Sequence, residues 1–223
     1  MKENEELRKD VQDAIEWQPQ LESSEIGVIA DNGIITLTGS VDSYSKKIEA
    51  EEAAKKVSGV KAVVEKINIV FGNDDKKNDN EIAAEVLRSL KWNWKIPHKR
   101  IKIKVEDGWV TLEGDVKWHF EKEAAKKAID NLLGVKGIIN EITIKSETDD
   151  MIERVDIITA LSRNSSLQSR KIDVKVKGNN VTLNGSVNSW YQKQEAGRVA
   201  FDAPGVWTVD NQLSVDHDYS LNH

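Results

Sequence analysis

The 223-residue sequence predicts an α+β fold of three tandem αββαβ units, each with two helices packed on one face of a three-stranded mixed sheet. Three observations predict it. A block of the form [GN]-x-[VI]-T-L-x-G-x-V occurs three times and ends at Val41, Val116 and Val187, spaced by 75 and 71 residues. A second block, Gly59-Val60, Gly134-Val135 and Gly205-Val206, lies 18 and 19 residues past each of those valines. Within each copy the apolar pattern passes from helical spacing to strict alternation, back to helical spacing, and ends in a strand-like run. The expected domains are 1–71, 78–146 and 149–217. The seams Gly72–Asn80 and Lys145–Asp150 are polar and short enough to be ordered connectors.

Each copy opens with a helix. Leu7, Val11, Ala14 and Ile15 repeat at i, i+4, i+7 and i+8. Ile82, Val86, Leu87 and Leu90 do the same, and Val155, Ile158 and Leu161 follow more loosely. Asp79 or Asn80, and Asp149 or Asp150, are the expected N-caps. A strand follows, with Ile101-Lys102-Ile103-Lys104-Val105 and Ile172-Asp173-Val174-Lys175-Val176 alternating at period two and Ile26–Ala30 as a weaker version. Asp31-Asn32-Gly33, Glu106-Asp107-Gly108 and Lys177-Gly178-Asn179-Asn180 read as hairpin turns, because Asn, Asp and Gly tolerate positive φ.

The second strand turns Ile35, Leu37 and Val41 to one side and Thr36 and Thr38 to the other. Gly39, Gly114 and Gly185 lie on its apolar side, where a glycine needs a structural reason such as a bulge or a close helix. A second helix carries the stripes Ala50, Ala53, Ala54, Val57; Ala125, Ala128, Ile129, Leu132; and Ala196, Val199, Ala200, Ala203. Gly59 and Gly134 suit the residue after its C-terminus, and Pro204 before Gly205 ends the third. In the last strand Glu65, Asn140 and Asn211 fall at an inward position. Either the strand bulges there or a polar side chain bonds a backbone group. The hairpin should be antiparallel and the helical crossover should make the last strand parallel to the second.

These blocks resemble the BON domain, a bacterial module named for osmotically induced and nodulation-related proteins. The D/N-G-x-V-T-L-x-G-x-V hairpin block and the distal G-V-x-x-V-x-[ND]-x-I-x-V block carry the resemblance, which covers nearly the whole chain as three tandem copies. It implies an αββαβ fold, no catalytic residues, no cofactor, and attachment to phospholipid surfaces of the kind associated with hyperosmotically inducible periplasmic proteins. Many members are periplasmic or outer-membrane associated. This chain carries no lipobox Cys, and its charged start, Met1-Lys2-Glu3-Asn4-Glu5-Glu6, has no apolar stretch behind it, unlike a secretory signal. The expected location is therefore cytoplasmic as written, or periplasmic for a processed form.

Composition narrows the function further. No Cys is present, which excludes disulfide scaffolds, cysteine-ligated zinc and thiol nucleophiles. A formal charge of −6 argues against a globally basic nucleic-acid binder, and no apolar run approaches the ~20 residues of a membrane-spanning helix. His98, His119, His217 and His223 lack metal-site spacing, and neither a phosphate loop nor a Gly-x-Ser-x-Gly elbow occurs. The expectation is a non-enzymatic binding protein without metal.

Charge is uneven: residues 1–71 carry −5, residues 72–146 carry +2 and the remainder −3. Lys91, Trp92, Trp94, Lys95, Lys99, Arg100, Lys102 and Lys104 form a run with six basic residues and no acid. Trp109 and Trp118 belong to the same copy. One reading is a lipid-surface patch, since indole favours the headgroup zone and each cation near an anionic surface contributes about 1 kcal/mol. The other is that Trp17 and Trp92 cover the core edge with solvated lysines around them. A protein–protein interaction scaffold with no lipid binding is the alternative function.

Overall fold

The computed structural model describes residues 3–21, 26–72, 77–145, 154–167 and 172–216. The first copy contains α1 (Asn4–Glu16), β1 (Ile26–Asp31), β2 (Ile34–Val41), α2 (Tyr44–Lys56) and β3 (Ala62–Ile69). The second contains α3 (Asp79–Trp92), β4 (Ile101–Glu106), β5 (Trp109–Val116), α4 (His119–Lys127) and β6 (Gly137–Ile144). The third contains α5 (Arg154–Arg163), β7 (Ile172–Lys177), β8 (Asn180–Val187), α6 (Trp190–Phe201), β9 (Thr208–Asn211) and β10 (Ser214–Val215). The fold is α+β. Each sheet has its second strand in the centre, antiparallel to the first. The last strand runs parallel to the centre in the second and third copies.

The opening helices bury a three-residue stripe in the first two copies: Leu7, Val11 and Ile15, then Ile82, Val86 and Leu90. In the third, Ile157 and Leu161 are the buried pair. This corrects the looser sequence stripe, because Val155 is exposed and Ile158 lies at the margin. Repeat spacing places Ile157 and Leu161 where Val86 and Leu90 sit, so register with the sheet decides the inward face. Leu87 is likewise exposed.

The N-cap of α3 is Asn78, not Asp79 or Asn80. Its side chain accepts from Glu81 N, and Glu81 returns the bond to Asn78 N in a capping box. Asp149 and Asp150 lie outside the described residues. Asp79 acts elsewhere, accepting the backbone N–H groups of Asp107 and Gly108 at 2.9 Å each. Asn4 accepts from Asn32 N in the same way. The first residue of each of these helices thereby clasps the hairpin turn. Asn32 and Gly33, and Asp107 and Gly108, have positive φ, as a type I′ turn requires.

Gly114 answers to the backbone that enters the neighbouring strand, neither to a bulge nor to an approaching α-helix. Ladder pairing runs unbroken through Gly114, opposite Ile101. Its φ is 135°, and a Cβ there would lie 2.1 Å from the Arg100 carbonyl oxygen. Gly39 and Gly185 share the conformation, at 122° and 124°.

Of the two readings of Glu65, Asn140 and Asn211, the structure selects the side chain bonded to backbone. Asn140 Oδ1 accepts from Ile142 N at 3.3 Å while its Nδ2 donates to Lys122 O of α4 at 3.1 Å. Asn211 repeats both bonds with Leu213 N and Lys193 O. Glu65 accepts from Ile67 N. Parallel register continues across Asn140 without an extra residue. The amide therefore ties helix to sheet. Asn140→Ala is expected to cost about 1–3 kcal/mol, since two half-buried backbone groups lose their partner. Asn140→Asp keeps the acceptor, loses the donor and should fall between. Urea titration of the full chain checks the order.

The second helices bury their small residues: Ala50, Ala53 and Ala54; Ala125; and Ala196, Gly197 and Ala200. α4 ends at Lys127, so Ala128, Ile129 and Leu132 continue the stripe from turns, not from helix. Gly59, Gly134 and Gly205 leave this region at positive φ. Their partner is the hairpin residue: a Cβ on Gly108 would meet Gly134 O at 2.7 Å, Lys136 N bonds Gly108 O, and in the third copy Asn179 takes that place, its Nδ2 donating to Gly205 O at 2.7 Å. The two repeated blocks recur together because they touch.

Asp130, just after α4, holds one buried carboxylate oxygen without a hydrogen bond. Burial raises its pKa above the usual carboxylate value. A raised folded pKa means the penalty is complete above it and is relieved as pH falls through it. Asp130→Asn should therefore melt higher than wild type at neutral pH, with the gap closing on acidification. Calorimetry across pH reads this directly.

Candidate functional site

The residues of the basic, Trp-rich run do not form one surface. α3 carries Lys91 and Trp92 out at its C-terminus. The chain then turns through Asn93, whose Oδ1 accepts from Lys95 N, and returns to the core at buried Ile96. A 3-10 turn at His98–Arg100 leads into β4. Trp92 and Trp94 are 82% and 87% exposed, and Trp17, at the equivalent end of α1, is 85% exposed. The reading in which Trp17 and Trp92 cover the core edge is therefore overturned. Leu21 and Ile96 fill that role, and the indoles stand in water. Lys95 Nζ lies 5.6 Å from the Trp94 ring centroid.

Lys91, Lys95 and Lys99 are exposed around these indoles. Arg100 joins the same end but pairs with Asp115 at 3.5 Å. Lys102 and Lys104 leave it. Both lie on the sheet face turned away from the helices, where Lys102 sits opposite Glu113 and Glu113 opposite Glu141. Lys104 pairs with Glu106 at 2.8 Å, and this hydrogen bond raises the pKa of Lys104. That face carries carboxylates as well as lysines, so the linear run divides into a cationic loop and a mixed sheet face.

Hairpin closure adds residues that linear reading missed. Because Ile101 pairs with Gly114, the start of β4 and the end of β5 are neighbours. Lys117, Trp118 and Phe120 follow β5 and so share the end that holds Trp92 and Trp94. Lys145 arrives there too, its N–H bonded to Val116 O. Glu121 accepts from Lys117 N and Trp118 N, which occupies its carboxylate with backbone. The signal was available in principle: a two-residue turn between equal strands brings their far ends together. Trp109, by contrast, lies over Gly137, where an added Cβ would come within 2.3 Å of the ring. Its face packs on backbone.

Among the described residues, no group of three or more His, Asp or Glu side chains is placed to hold a metal ion. No helix among them is long and apolar enough to cross a membrane. The arrangement can present indole and ammonium groups together to an anionic, partly apolar surface.

The model of the BON domain family matches residues 3–70, 78–146 and 149–217. Osmotically-inducible protein Y of Escherichia coli (strain K12) is 27% identical over 129 residues, 56% of this chain and 64% of that protein. The chain thus spans somewhat under two thirds of that relative. Among solved structures, the C-terminal domain of CdsD, the structural protein of the type III secretion system of Chlamydia trachomatis, aligns at 17% identity and a TM-score of 0.26, covering 96% of this chain and all of that one. The periplasmic domain of the inner membrane protein PrgH from S. typhimurium aligns at 8% identity and a TM-score of 0.20, covering 92% and 100%.

Proposed function

Since this chain belongs to the BON domain family and holds three such domains in tandem, we propose that it is a non-enzymatic binding protein of osmotic or envelope stress that attaches to anionic phospholipid surfaces. The observation that carries this reading is the end of the middle domain, where Trp92 and Trp94 stand almost wholly in solvent beside Lys91, Lys95 and Lys99. Indole gains by entering the headgroup zone and lysine by approaching its negative potential. The relationship to a protein named for osmotic induction supports the stress role. It favours the periplasmic over the cytoplasmic location, since the envelope meets an osmotic shift first. Release of the protein by osmotic shock of its cells tests the compartment.

The scaffold alternative would rest on sheet faces, such as exposed Trp109 and Ile139 of the middle sheet, or on the Trp-bearing loops themselves binding protein. The lysines grouped with the indoles at the Trp-bearing end favour an anionic lipid surface over a protein partner. The test is co-sedimentation with phosphatidylglycerol vesicles, wild type against Lys95→Glu/Lys99→Glu. Equal binding by the two would sink the proposal.

A further inference from the structure

The turn that displays Trp94 has the same frame in all three domains. Gln18, Asn93 and Asn164 are spaced by 75 and 71 residues. Each accepts through its backbone oxygen from the N–H three residues on, that of Leu21, Ile96 or Leu167, at 3.0 Å in every case. Those three acceptor-to-anchor turns end on buried residues. Asn164 also repeats the side-chain bond of Asn93, its Oδ1 accepting from Ser166 N. A helix holds one side of each turn and a core residue holds the other. The two residues between are Pro19-Gln20, Trp94-Lys95 and Ser165-Ser166, and the residues just before the acceptor are Trp17, Trp92 and Arg163, at or next to the end of the helix. The backbone bond and the buried anchor recur, with Ser165–Leu167 tightened into a 3-10 turn in the third domain, while the displayed side chains differ.

We infer that this turn is the specificity-determining element of each domain, with the residues at 92, 94 and 95 and their equivalents deciding whether that domain adsorbs to an anionic lipid surface. The inference rests on the function proposed above. It makes the third domain silent for want of side chains, not for want of a frame. A rigid frame displays a contact residue at little ordering cost, because the backbone is already fixed before the surface arrives.

The test is a transplant. In a Lys95→Glu/Lys99→Glu background, Arg163→Trp, Ser165→Trp and Ser166→Lys place the middle domain's tip on the third. Gln192 Nε2 donates to the backbone oxygen of Ser166, a bond the graft retains. Binding to phosphatidylglycerol vesicles should rise at least about threefold over the background, because the graft adds two indoles suited to the headgroup zone while Ser166→Lys replaces the charge lost with Arg163. The reciprocal swap, Trp94→Ser/Lys95→Ser in the wild-type chain, should lose binding with no change in melting temperature. A folded graft that stays at background level, or a reciprocal swap that still binds fully, overturns the inference. If wild type itself leaves the vesicles unbound, the proposed function fails first and this inference with it.

Discussion

The chain carrying Lys95→Glu and Lys99→Glu is expected to bind phosphatidylglycerol vesicles at least about tenfold more weakly than wild type. Both ammonium groups are exposed at the Trp-bearing end, so each reversal replaces an attraction of about 1 kcal/mol with a repulsion. Raising the salt should bring wild type down toward the variant, because surface charges are screened beyond the Debye length. On neutral phosphatidylcholine vesicles the two should converge, leaving only what Trp92 and Trp94 contribute. The matched reversal Lys102→Glu/Lys104→Glu alters the same number of charges in the same linear run. It should change binding little, because those lysines face Glu113 and Glu106 on the sheet. Equal losses from the two pairs would mean that net charge, and not the Trp-bearing end, drives adsorption.

Gly114→Ala is expected to destabilise the middle domain by about 2–4 kcal/mol. Two causes add. An L-residue is strained at φ 135°, and its Cβ would press on the Arg100 carbonyl, a backbone atom that cannot rotate away. Relieving the clash means parting β4 from β5 at Ile101, which is itself a core residue. A domain this small has little stability in reserve. Thermal melting of the full chain should show a lower transition. A Gly178→Ala control should do less harm, because that turn opens on empty space and the strain of its φ of 58° is all that remains. Comparable losses at both positions would remove the close-approach argument.

Much of the architecture was legible in one dimension because its causes are local and were written three times. Alternation in Ile101–Val105 gave β4, small-residue stripes gave the second helices, and Asp107-Gly108 gave a type I′ turn. Where linear reading went astray, a neighbour distant in sequence was responsible. Asp79 looked like a cap, but the hairpin turn 28 and 29 residues away takes its carboxylate. Val155 and Ile158 fitted a helical period, but the sheet accepts Ile157. Gly114 needed a reason, and the reason was the carbonyl of Arg100.

The sequence by itself determined the three-fold repeat, the αββαβ order, the family and the basic, Trp-rich character of the middle domain. All of these follow from residue type and spacing along the chain. Only the tertiary structure decided which of those residues form a surface. Strand pairing turned Lys102 and Lys104 toward Glu113 and Glu106 and away from the indoles. Hairpin closure brought Trp118, Phe120 and Lys117 to the indoles' end. Ile96, buried after the loop, left Trp92 and Trp94 no place in the core. Charge and aromaticity are properties of single residues, whereas a binding face depends on which strand ends meet, and antiparallel pairing sets that across tens of residues.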